Sequence, residues 1–193
     1  MVSNVVRNFT NVSLSDTTPY GNHWDILWLG HCGEHTDPDT ARVKYADDTV
    51  PTHANYTGWS NKYMINIGEG HRLIQHAVNP VCTFAYAVTK QGAQNVLKWA
   101  GDGQNEAFDI RLMQACRPRL LDVVSVQPEI MHHSTPPHEA GYWSQVNAGD
   151  GKRTAVDETR FEKEMGGTEN ILNSTRCKVL FDTTCVKDFR EQY

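Results

Sequence analysis

The run Trp24-Asp25-Ile26-Leu27-Trp28-Leu29-Gly30, followed at once by His31-Cys32-Gly33-Glu34, constrains this chain more than any other stretch. An apolar run of this length, stopped by glycine, predicts a buried strand of a parallel or mixed sheet. In open α/β sheets, ligands sit just beyond the carboxyl ends of such strands. The groups that follow this strand can bind protons or metals. Gly30 and Gly33 allow a tight turn there and a close approach of backbone to a ligand. The plainer alternative is that His31 and Cys32 only pack beneath the turn.

The rest of the chain supplies elements for the same sheet. Tyr63–Ile67 and Arg72–His76 read as short strands about the turn Gly68-Glu69-Gly70, and Val81–Val88 as a further extended run. Thr89 is placed to cap a helix whose residues Ala93, Val96, Leu97 and Ala100 fall on one apolar face, with Gly101 and Gly103 ending it. Phe108, Leu112, Ala115 and Cys116 mark a second helix, closed by Pro118. Leu120–Val126 is again continuously apolar. The first 22 residues read as a polar lead-in or helix remnant, and 35–60 as a loop. Two more helices are expected in the tail, around Val156–Met165 and Thr168–Phe181. The organisation expected is an α/β domain over residues 1–135, with a loop and helical tail, 136–193, packed on it.

Composition narrows the classes of function. A net charge of −5 over 193 residues leaves no electrostatic footprint for nucleic acid. The opening residues lack an apolar core long enough for a signal peptide or a membrane span. The five cysteines contain no C-x-x-C pair, which argues against a zinc ribbon or a disulfide scaffold. Their odd number leaves at least one thiol without a partner in the chain, and one bridge, between the tail cysteines, stays open. Four acceptor sequons, at Asn8, Asn11, Asn55 and Asn173, are compatible with a secretory lumen without establishing it. Asp37-Pro38-Asp39 can be read as a carboxylate pair for a metal–diphosphate, but proline in a polar loop favours turn chemistry.

Four segments in order carry a resemblance: W-D-I-L-W-L-G-H-C-G-E, P-V-C-T-F-A-Y-A-V-T-K-Q-G-A-Q, F-D-I-R-L and V-V-S-V-Q-P-E-I-M-H-H. Together they resemble the fungal branch of glycosyltransferase family 25, which also holds lipooligosaccharide and procollagen galactosyltransferases. Gly167–Ile171 and Ser174–Cys177 are similar to that branch's tail. The resemblance runs from about Thr18 to the carboxyl terminus. It implies a Rossmann-like mixed sheet, the second half of a type A glycosyltransferase fold. It also implies transfer of galactose or glucose from a nucleotide sugar, usually a UDP-hexose with Mn²⁺, to a glycan or protein hydroxyl. The family's amino-terminal half, with its Glu-Asp-Asp metal motif, has no counterpart here. The expectation is therefore a truncated and weakly active enzyme, in the Golgi or ER lumen if the gene carries an anchor and otherwise cytoplasmic. Lacking part of the sheet, such a chain should leave apolar surface open and self-associate.

Transfer from a nucleoside diphosphate sugar needs a base for the acceptor hydroxyl and stabilisation of the leaving diphosphate. Asp109, where the second helix begins, is the candidate base, and equally a candidate helix cap. By resemblance His132 and His133 stand where a late residue reaches the metal, and His31, Gly33, Thr83 and Tyr86 border the substrate. Trp24 and Trp28 are read as core rather than as sugar platforms. The alternative function is a non-catalytic binding or partner protein that retains half of the fold. A metal-dependent hydrolase built from His31, Cys32, Glu34, His35 and the later histidines is the weakest reading, because no helical ligand spacing such as H-E-x-x-H is present.

Overall fold

A computed structural model describes residues 2–13, 17–103, 106–133, 170–171 and 175–182. The described chain is an α/β structure built on one mixed sheet of five strands. In chain order these are β1 (Ile26–Gly30), β2 (Arg42–Ala46), β3 (His71–His76), β4 (Ala85–Val88) and β5 (Val123–Gln127). They lie side by side as β2-β3-β5-β1-β4, and only β1 and β5 run parallel. The three apolar runs expected in one sheet, at Trp24–Gly30, Val81–Val88 and Leu120–Val126, do supply its adjacent strands β1, β4 and β5.

The two central strands are buried on both faces because both faces are covered. On one face Ile26, Trp28 and Val123 meet α3 (Lys90–Ala100) and α4 (Phe108–Cys116) through Val96, Leu112 and Ala115. On the other, Leu27, Ile74, Val124 and Val126 pack with Trp24 and with Val6 of α1 (Val2–Phe9). Each fully buried aliphatic side chain of this kind contributes about 1.5–3 kcal/mol. Trp24 and Trp28 are both core residues, as the sequence implied.

The start of α3 is fastened to the start of β1. Thr89 is its N-cap: the hydroxyl accepts the Gly92 N–H at 2.8 Å and donates to the Trp24 carbonyl at 3.0 Å. Gly92 is required by contact, since a Cβ there would run into the Asp25 carbonyl. Asp25 adds a second tie, accepting from the Asn95 side chain at 2.7 Å and the Asp122 N–H at 2.9 Å.

Several local expectations differ from the structure. Tyr63–Ile67 is not a strand: a 3-10 turn, Trp59–Tyr63, runs into the helical turn α2 (Met64–Ile67). Met64 and Ile67 are buried three positions apart while Ile65 is exposed, a helical period that short apolar runs conceal. The loop expected over 35–60 contains β2, an edge strand whose polar, largely exposed residues give no buried-strand signal. Of the apolar face expected on α3, Leu97 lies outside it, 70% exposed. Strand β5 starts at Val123, after a turn that carries Leu120 and Leu121.

The cysteines hold the expected unpaired thiol and a bonded tail cysteine, and add a bridge the sequence did not mark. Cys32 and Cys82 form a disulfide across 50 residues, and Cys177 is disulfide-bonded too, leaving Cys116 as a buried free thiol. No sequence spacing marks Cys32 and Cys82 as partners; the pairing of β1 with β4 brings them together. Asp37-Pro38-Asp39 forms the expected turn, with the Asp39 N–H donating to Asp37 Oδ1 at 3.0 Å. Of the tail, the helix expected around Val156–Met165 lies outside the described residues, and α5 covers Thr175–Phe181. No helix among the described residues is long and apolar enough to cross a membrane.

Candidate functional site

The carboxyl ends of the parallel pair β1 and β5 open at the same end of the sheet, and most of the candidate residues collect there. Beyond β5, the Gln127–Pro128 peptide is cis, and the chain doubles back so that Ile130 and Met131 donate to the Leu29 carbonyl at 2.9 and 3.2 Å. Beyond β1, residues 30–33 run beside 81–84: Cys32 N–H donates to Val81 O at 2.8 Å, and Phe84 N–H to Gly30 O at 3.1 Å. The Cys32–Cys82 disulfide locks these two segments together. The Trp28 indole N–H reinforces the joint, shared between the Gly30 carbonyl at 3.1 Å and the Cys82 carbonyl at 2.9 Å.

His31 is completely buried and both ring nitrogens are engaged. Nδ1 accepts from Gly33 N–H at 3.1 Å, which leaves Nε2 to donate to the Val126 carbonyl at 3.0 Å. These bonds assign the Nε2–H tautomer and make His31 a clamp between the two parallel strands. Gly33, at φ +137° and bridged to Val81, lies against Ser60, whose Oγ would be 2.6 Å from a Cβ at this position. His31 and Gly33 therefore form the floor of this end rather than its accessible surface.

The other candidate residues are half-buried or exposed. Asp109 sits in the first turn of α4, but the N-cap position belongs to Ala107, so the capping expectation is corrected. Its carboxylate instead accepts the Cys82 N–H at 3.0 Å and the Ile110 N–H at 2.9 Å, tying α4 to the disulfide turn. That tie meets Cys82 at φ +66°, a conformation that an L residue holds only when its surroundings impose it. Thr83 is half-buried beside it. Tyr86, on edge strand β4, is 40% exposed, its ring 6.3 Å from that of Phe108.

His132 and His133 stack at 4.7 Å, and both lie against Phe84, at 4.3 and 4.4 Å between centroids. Near-parallel rings direct their in-plane nitrogens side by side rather than at one point, and Nδ1 of His132 is 3.1 Å from the His133 carbonyl. Manganese favours oxygen donors, and among the described residues no group of three or more His, Cys, Asp or Glu is arranged to hold a metal. The hydrolase set is not assembled either, because Cys32 is in a disulfide and Glu34 is enclosed in the core.

Sequence reasoning passed over two features of this end. One is Phe84, the ring that seats both histidines; its place within P-V-C-T-F was the available signal. The other is the buried carboxylate of Glu129, which accepts from Tyr56 OH at 3.0 Å and from the Asn170 side chain at 2.7 Å, fastening the tail behind Gly33 and Ser60. Nothing in the local sequence pairs residues so far apart. No family model, curated protein or solved structure matches the chain.

Proposed function

We propose that this chain is the acceptor-side part of a glycosyltransferase that moves a hexose, galactose or glucose, from a nucleotide sugar to a hydroxyl of a glycan or protein. One observation carries the reading: beyond the carboxyl ends of the parallel strands, where α/β folds bind ligands, Asp109 holds the Cys82 N–H and Phe84, two residues on, seats His132 and His133. The motif resemblance supports it independently of the geometry. In this reading Asp109 takes the proton of the acceptor hydroxyl. Each of its oxygens already holds one main-chain amide, which fixes the carboxylate's direction and leaves a lone pair on each. The histidine pair on Phe84 offers donors to the donor's phosphates. No step is routed through a metal; Mn²⁺, which the resemblance implies, would need oxygen donors beyond the two histidines.

One observation favours the second reading, a non-catalytic binding protein: both Asp109 oxygens are committed to holding the Cys82 turn and α4. Calorimetry with UDP-galactose and UDP-glucose, with and without Mn²⁺, followed by a transfer assay, separates the two. The enzyme reading expects nucleotide-sugar binding and a loss of about 10²–10⁴-fold in transfer on Asp109→Asn. Binding without transfer supports the binding protein, and full transfer by Asp109→Asn removes Asp109 as the base. For location, the disulfides and the exposed sequon asparagines Asn8, Asn11 and Asn55 together favour an oxidising secretory lumen.

A further inference from the structure

At the opposite end of the sheet, where β3 ends and β5 begins, a cavity of about 250 Å³ opens beside the end of α4. We propose that it is a binding site for a tetrahedral oxyanion, a phosphate or sulfate group, gripped by Arg117 and Arg119. The inference is independent of the glycosyltransferase reading, whose residues lie at the other end of the sheet.

Arg117 and Arg119, both exposed on the turn that follows α4, are among the residues that line the cavity, together with Thr40, His76, Val78 and Cys116. Among the described residues neither arginine pairs with a carboxylate. By contrast Arg72 is 2.7 Å from Asp47, and Arg111 is 3.7 Å from Asp102. The arginines are not consumed in capping α4 either. The Ala115 and Cys116 carbonyls take the N–H groups of Leu120 and Arg119 at 3.0 Å each. Arg119 is held at φ +55°, where asparagine or glycine would be easier, so the turn keeps an arginine at a conformational cost.

The opposing charges are accounted for. Asp37 is on the wall, and its Oδ1 is held by the Asp39 N–H of its own turn. Asp122 faces His76, with its Oδ1 3.2 Å from Nδ1. Arg117 and Arg119 are the cavity's two fixed positive charges, with Asp37 on the wall and Asp122 turned to His76, and arginine forks match tetrahedral oxyanions in geometry as well as charge. A cavity of about 250 Å³ has room for an oxyanion, free or on a small stem, and is smaller than the roughly 300–1,000 Å³ of pockets for drug-sized ligands.

The test is a titration of the full chain with sodium phosphate, sodium sulfate and, as a charge control, sodium acetate at constant ionic strength. It is read by calorimetry and by the amide shifts of Thr40, Ala77 and Arg119. Saturable binding of phosphate and sulfate but not acetate is expected. Arg117→Gln combined with Arg119→Asn should weaken it at least tenfold, asparagine being tolerated at positive φ. Asp37→Asn, which keeps the turn's acceptor and removes the charge, should tighten it several-fold and serves alone if the double variant does not fold. Glucose 1-phosphate binding tighter than phosphate assigns an oxyanion carried on a sugar; equal affinity assigns the free ion. Absence of saturable binding, or binding indifferent to these substitutions, overturns the proposal.

Discussion

Glu34 shows what a single residue decides in this protein. It is fully enclosed, with Oε1 accepting the Val78 N–H at 2.6 Å and Oε2 lacking a hydrogen-bond partner. Gln75 and Ser125 face it, and Gln75 spends its amide N–H on the His35 carbonyl, so its own Oε1 lacks a donor. A proton on Glu34 adds a second donor, beside the Ser125 hydroxyl, for these oxygens. Burial drives the Glu34 carboxyl above its ordinary value, against the opposing pull of His31, Ser125, Val78 and Gln75. Burial also pushes up the thiol of neighbouring Cys116, with the Glu34 charge adding to it. The sign follows from proton counting: above the ordinary glutamate range the unfolded chain has lost this proton and the folded chain keeps it. Stability from this group therefore falls as pH rises from that range through the raised folded value. Glu34→Gln, neutral at every pH, should remove this slope and melt higher at neutral pH than the parent. Melting curves from pH 4 to 8 check it, and parallel profiles for the two proteins would refute it.

Helix α3 and the Cys32–Cys82 clamp are the elements on which the sheet's two ends depend. The cap of α3 is local: Thr89 lies three residues before the amide it accepts, and the sequence pattern identified it directly. Thr89→Ala should cost about 1 kcal/mol, read as a lower denaturation midpoint with unchanged slope. The clamp is not local. Closing a loop of 50 residues restricts the unfolded chain, worth roughly 4 kcal/mol in the chain-entropy account. Replacing Cys32 and Cys82 together by serine should lower stability by that order. It should also loosen the Asp109 tie, seen as faster amide exchange at position 82 than at Thr89. Equal exchange at both would mean that Asp109 holds the turn without the disulfide.

At the scale of the whole molecule, the expectation of an uncovered sheet face is changed by α1, which places fully buried Val6 on the face opposite α3 and α4. Among the described residues, what stays open are the edges. Strand β2 carries Arg42 and Lys44, charges that discourage pairing with another chain. Strand β4 carries Tyr86 and Val88, each 40% exposed, and no charge. Self-association through β4 is therefore expected as concentration rises. Val88→Lys should return the sedimentation profile to monomer while the melting temperature moves little. Association unchanged by that substitution would place the contact elsewhere, with exposed Ile65 and Leu97 the next surfaces to vary.

The sequence by itself determined the parts governed by short-range physics. Ile26–Gly30 is apolar throughout and reads as buried on both sides; Thr89 and the spacing of Val96 and Ala100 define a capped helix; Asp37-Pro38-Asp39 makes its own turn. Asp109 was legible as the start of a helix but not as the anchor of Cys82, because that partner arrives through strand pairing. For the same reason the Cys32–Cys82 bridge, the stacking of His132 and His133 on Phe84, and the enclosure of His31 had no local signature. The cavity of Arg117 and Arg119 depends on the same cause, since β3, α4 and the turn at Asp37 meet only in the folded chain. Local pattern sets which elements form, and the long-range register of β1 with β4 and β5 decides which side chains face each other.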